Sequence, residues 1–73
     1  MEEIDALGLL CPLPVLKLRK RLSGLPAGGE VLLHADDPAA VIDVPHFCAE
    51  AGHTLVSVQE TGAVQIYRIR KGG

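Results

Sequence analysis

Cys11 stands in the run Gly8-Leu9-Leu10-Cys11-Pro12-Leu13-Pro14-Val15, a sulfur nucleophile at the point where two prolines open a helix. The amides at the start of a helix lack intrahelical partners. Pro12 and Pro14 carry no amide hydrogen, and their fixed φ suits a first turn. With Cys11 as the N-cap, the amides of Leu13 and Val15 remain to face its sulfur, backed by the positive end of the helix dipole. A thiolate is stabilised in such a place, so the thiol pKa is expected to fall below that of free cysteine. The stiff prolines would hold the sulfur at an exposed corner, ready to act as a nucleophile or to carry a second sulfur as a persulfide. The plainer reading is a buried cysteine ahead of an ordinary proline-started helix.

The other candidates are weaker. Cys48 follows Phe47 and lies four residues after Val44, which reads as a small core residue rather than a resolving partner for Cys11. His34, His46 and His53 with two cysteines invite a zinc reading. No Cys-x-x-Cys or His-x-x-x-His spacing supports it, so no metal is expected. His34 reads as a turn histidine beside Asp36 and Asp37, and it would matter to Cys11 only if the strand and helix ends adjoin. The two aspartates read as helix caps. Close to Cys11 they would oppose thiolate formation.

The elements that must position Cys11 follow from periodicity and breakers. Ile4 to Leu10 reads as a strand with a turn at Gly8. A helix over about 12–23 has apolar Val15, Leu18 and Leu22 on one side and Lys17, Arg19, Lys20 and Arg21 on the other. Glu30 to Ala35 is apolar enough for an interior strand. Asp37 at the N-cap and Pro38 at the first position start a second helix. Pro45 is expected to kink or restart it, and Gly52 to end it. Thr54 to Gln59 and Ala63 to Arg70 read as strands joined by a Glu60-Thr61-Gly62 turn. The order is β-α-β-α-β-β. Right-handed crossovers place both helices on one face of the sheet, giving an α/β two-layer sandwich.

Size and composition limit what such a molecule does. Its 73 residues make one domain, residues 1–73. A chain this short buries only about 60–65% of its unfolded surface, which leaves room for one modest core and no enclosed substrate pocket or large cofactor. Leu, Val and Ile supply 22 residues, enough to exclude disorder. One Phe, one Tyr, no Trp and a net charge of −2 argue against direct nucleic-acid binding. No apolar run reaches the ~18 residues of a membrane span. The acidic start Met1-Glu2-Glu3-Ile4-Asp5 is no secretory signal, so the expected location is cytoplasmic, with reduced thiols.

The charges are segregated. All seven basic residues lie in Lys17–Arg21 and Arg68–Lys71, and none falls between Leu22 and Tyr67. The topology would gather Lys20, Arg21, Arg68 and Arg70 roughly 15 Å from Cys11, at ~1.5 Å per helical residue. With Lys17 they are candidates for a docking surface that steers a partner. The plainer reading is the solvated face of an amphipathic helix.

Cys11-Pro12-Leu13-Pro14 after Leu7-Gly8-Leu9 resembles the signature of the TusA (SirA-like) family of sulfur carrier proteins. The resemblance continues through Ala35-Asp36-Asp37-Pro38-Ala39, Asp43-Val44-Pro45-His46-Phe47-Cys48 and Tyr67-Arg68-Ile69-Arg70-Lys71-Gly72-Gly73, and so spans the chain. It implies a mixed four-stranded sheet of order 1-2-4-3 with strand 4 antiparallel to the rest. It also implies that Cys11 carries persulfide sulfur, taken from a cysteine desulfurase and passed to an acceptor protein. In the family that relay leads to 2-thiouridine in tRNA, and in relatives to sulfur oxidation or other sulfur trafficking. Leu10 and Leu13 depart from residues often polar in the family, and they flank the sulfur. A carrier of this kind needs one exposed sulfur and a docking surface, and no cofactor.

Two rival readings come from other classes. A regulatory interaction module would keep its activity after Cys11→Ser. The Gly72-Gly73 ending is shared with ubiquitin-like carriers that form a C-terminal thiocarboxylate, but that fold begins with a β-hairpin rather than a β-α unit.

Overall fold

A computed structural model describes every residue, Met1–Gly73. Six elements follow one another: β1 (Glu2–Ala6), α1 (Leu13–Ser23), β2 (Glu30–Ala35), α2 (Ala40–Ala51), β3 (Thr54–Thr61) and β4 (Val64–Arg70). The sheet order is β1-β2-β4-β3. β1 and β2 are parallel, and β4 runs antiparallel to both of its neighbours. This is the architecture that the sequence and its family resemblance implied.

Strand alternation builds the core. Ile4 and Ala6, Val31, Leu33 and Ala35, and Tyr67 and Ile69 turn to one face, where Leu18 and Leu22 of α1 and Ala40, Val44, Phe47 and Cys48 of α2 cover them. The opposite face carries Glu3, Asp5, Glu30, His34, Arg68 and Arg70 on the alternate positions. Cys48 is a fully packed member of the core, and burial pushes its thiol pKa up.

Several boundaries differ from the sequence expectation. β1 starts at Glu2 rather than Ile4, and the expected turn at Gly8 ends it: Asp5's side chain accepts the Leu7 amide at 3.0 Å and Gly8 takes a left-handed turn at φ 77°. Helix α2 begins at Ala40, three residues past Asp37, and runs unbroken through Pro45. The ring removes one donor that would have met Val41's carbonyl. Val41 is exposed, so water can reach that carbonyl and the break is avoided. Gly52, left-handed at φ 79°, closes α2, and the amide of His53 returns to Cys48's carbonyl at 2.9 Å. β3 is two residues longer than expected. The hairpin turns on Gly62-Ala63, with Gly62 alone at positive φ, the pattern of a type II′ turn.

One polar chain crosses this core. Tyr67's hydroxyl donates to Gln65's Oε1 at 2.7 Å, and Gln65's Nε2 donates to Asp37's carbonyl at 3.3 Å. Burial and the Glu60 charge push the Tyr67 phenol from its ordinary 10.0 up to about 12. The folded state therefore holds this proton more tightly than the unfolded chain does. Its stabilising effect is complete below pH 10 and is lost as pH rises from about 10 through about 12. Urea titrations across that window should show stability falling with pH, and Tyr67→Phe should flatten the fall.

Candidate functional site

Cys11 lies exposed in the turn between β1 and α1. Helix α1 starts one residue later than expected, with Pro12 as its cap, so Cys11 precedes the cap rather than forming it. Leu13's amide, expected to face the sulfur, donates instead to Leu10's carbonyl at 2.8 Å. The next backbone bond of the turn runs from Leu16's amide to Pro12's carbonyl at 3.1 Å. That leaves Val15's amide as the first-turn donor without a backbone acceptor.

What fixes the cysteine loop is a pair of adjacent carboxylates at the end of β2. Asp36 accepts the Gly8 amide through both oxygens, at 3.0 and 3.1 Å. Asp37's Oδ2 accepts the Cys11 amide at 2.7 Å, and its Oδ1 accepts the Ala39 amide at 3.2 Å. The cap of α2 is Ala39, with no side-chain bond, so Asp37 does not take the N-cap position expected of it. It ties the start of that helix to the backbone of Cys11, and it does so while buried.

Beside Cys11 a shallow groove of about 400 Å³ runs between the two helices. Pro12, Val15 and Arg19 of the first helical segment line one wall, and Asp43, His46, Phe47 and Glu50 of α2 the other. Residues 43, 47 and 50 share one helical face by their i, i+4, i+7 spacing. The Arg19 guanidinium sits 5.6 Å over the Phe47 ring, and His46 pairs loosely with Glu50 at 3.6 Å.

The electrostatics run opposite to the sequence expectation. The Asp43 carboxylate, which lines the groove with Cys11, together with that thiol's partial desolvation and the Asp37 charge, pushes the thiol pKa above its ordinary value. The expected fall fails because two of its premises fail: the sulfur is not at the cap, and the helix opposite presents an acid. Asp43 is the residue that sequence reasoning overlooked. Its signal was present in the 43/47/50 face of a helix whose start lies beside Asp36 and Asp37.

The remaining candidates lie elsewhere. His34 is a strand residue on the open face of the sheet, paired with Glu3 at 2.8 Å and turned away from Cys11. Arg21 bridges Glu2 at 2.7 Å, and Lys17 donates to Asp5's carbonyl. Arg68 and Arg70 both grip Glu30, at 2.7 and 2.9 Å, and hold its carboxyl below the usual range. Much of this basic charge is thus spent on internal partners, leaving Lys20 the least committed.

Residues 2–71 match the family described as Sulfurtransferase TusA. The chain belongs to the TusA family. A solved structure agrees with this assignment: the SirA-like protein of Desulfitobacterium hafniense superposes with a TM-score of 0.87 at 31% identity, covering 100% of both chains.

Two outcomes follow for the TusA-type site. Replacing Asp37 with Ala should cost about 1–3 kcal/mol in urea unfolding, since it strands the Cys11 and Ala39 amides. In a Cys48→Ala background, Cys11 should react with iodoacetamide more slowly at pH 7 than free cysteine does. Asp43→Asn should shift the alkylation midpoint to lower pH.

Proposed function

We propose that Cys11 is the sulfur-carrying residue, loaded as a persulfide by a cysteine desulfurase and discharged to a downstream acceptor protein, in service of 2-thiouridine formation in tRNA. The observation that carries this reading is the exposed, loop-clamped thiol at the mouth of an open groove. The other cysteine is sealed in the core and cannot serve as a resolving partner without unfolding α2. A single accessible sulfur can hold a second sulfur without closing an internal disulfide.

The transfer is sulfur exchange. Cys11, as thiolate, attacks the terminal sulfur of the donor persulfide. A bond forms between the Cys11 sulfur and that terminal sulfur, and the donor's own S–S bond breaks. Its electron pair leaves with the donor's inner sulfur as a thiolate, which takes up the proton released by Cys11. No net oxidation occurs. Discharge repeats the step with the acceptor's thiolate as the attacker. Family membership supports the carrier role, and the open groove suits chemistry in which the partner supplies the second reacting sulfur.

Mass spectrometry after incubation with a cysteine desulfurase and cysteine tests this directly. The native chain should gain about 32 Da, one sulfur, lost on reduction. Cys11→Ala should abolish the gain. Cys48→Ala should retain it while losing about 1–2 kcal/mol of stability as a small core deletion. Retention of the gain in Cys11→Ala would remove the proposal.

A further inference from the structure

The groove beside Cys11 holds an imbalance of charge. Asp43 makes no ion pair, and the nearest cation in the groove, Arg19, is engaged over the Phe47 ring. His46 is directed to Glu50. Asp37, from the turn that precedes α2, adds a second carboxylate, spent on the Cys11 and Ala39 amides. The chain flanking the sulfur is apolar: Leu10 is 67% exposed and Leu13 49%. An uncompensated acid next to a nucleophile, beside exposed aliphatic side chains, is complementary to a cation carried on an apolar surface.

We propose that this groove takes a protein partner that sets a lysine or arginine against Asp43 from within an apolar surface, and that this pairing releases Cys11 to react. The inference rests on the carrier reading above and adds the chemistry of the partner to it. In the free protein the Asp43 carboxylate, lining the same groove as Cys11, disfavours its thiolate. A docked cation neutralises that carboxylate. Leu10 and Leu13, exposed on either side of Cys11 in the chain, give a docked partner apolar surface to cover, and covering it strengthens the pair. The carrier then gives up its proton where a donor or acceptor sulfur is waiting and stays quiet in bulk solution. An exposed thiolate carrier would lack that discrimination and would exchange with any small disulfide.

Small disulfides of different charge read this complementarity without any partner protein. In each case the Cys11 thiolate attacks one sulfur of the probe, forms a mixed disulfide and expels the probe's other half as a thiolate. The rate with cationic cystamine is divided by the rate with neutral bis(2-hydroxyethyl) disulfide, and this ratio is compared between the Cys48→Ala chain and Cys48→Ala carrying Asp43→Asn. Intrinsic differences between the probes cancel in the comparison. The ratio should be about two- to fivefold higher with Asp43 present, the range of a partly exposed ion pair. In the Asp43-containing chain it should fall toward the Asp43→Asn value at 1 M salt, where screening reaches within about 3 Å. Equal ratios in the two chains, or a ratio indifferent to salt, would overturn the proposal. Neither result bears on whether Cys11 accepts sulfur, which the mass measurement decides separately.

Discussion

The carboxylate of Asp37 is the constraint on which the arrangement at Cys11 depends. It is buried, and it accepts the Cys11 amide and the Ala39 amide at once. Its own carbonyl takes bonds from the Ala40 amide at 2.9 Å and from Gln65, which is held in turn by Tyr67. One residue thus joins the cysteine loop, the start of α2 and strand β4. A buried charge is tolerable only when its lone pairs are met, and here they are met by the backbone that carries the sulfur. Position and electrostatics are therefore coupled: the group that fixes the Cys11 backbone also contributes negative potential at its thiol.

That coupling bears on how the thiol is tuned. A catalytic cysteine is usually activated by a neighbouring cation or base within its own chain. Here the charges that act on the thiol are those of Asp43 and Asp37, and both oppose ionisation. Arg21, Arg68 and Arg70 lie at the other end of the helix and sheet, where Glu2 and Glu30 absorb them. The result is a domain with an acidic reactive edge and a largely neutralised basic edge.

Much of the fold was legible because it rests on local signals. Alternation in Glu30–Ala35, the apolar spacing of Val15, Leu18 and Leu22, and glycines at 52 and 62 each state their own structure, and right-handed crossovers leave few ways to assemble them. The errors lie where local rules meet tertiary competition. Pro45 was expected to interrupt α2, but the carbonyl it deprives faces solvent, a fact set by how the helix docks. Asp37 was placed at a helix cap, and its side chain was instead shared with a loop 26 residues away.

The same division runs through the site. Sequence alone determined that Cys11 is the reactive sulfur candidate, that Cys48 belongs to the core, and that prolines stiffen the turn between the first strand and helix. These depend on residue type and on neighbours a few positions away. Tertiary structure alone decided the ionisation of that sulfur. Asp43 lies 32 positions from Cys11 in the chain, and only the packing of α2 against α1 brings it into the groove. A thiol's acidity is set by charges and donors within a few ångströms, and distance in space between groups far apart in sequence is the quantity a one-dimensional pattern does not contain.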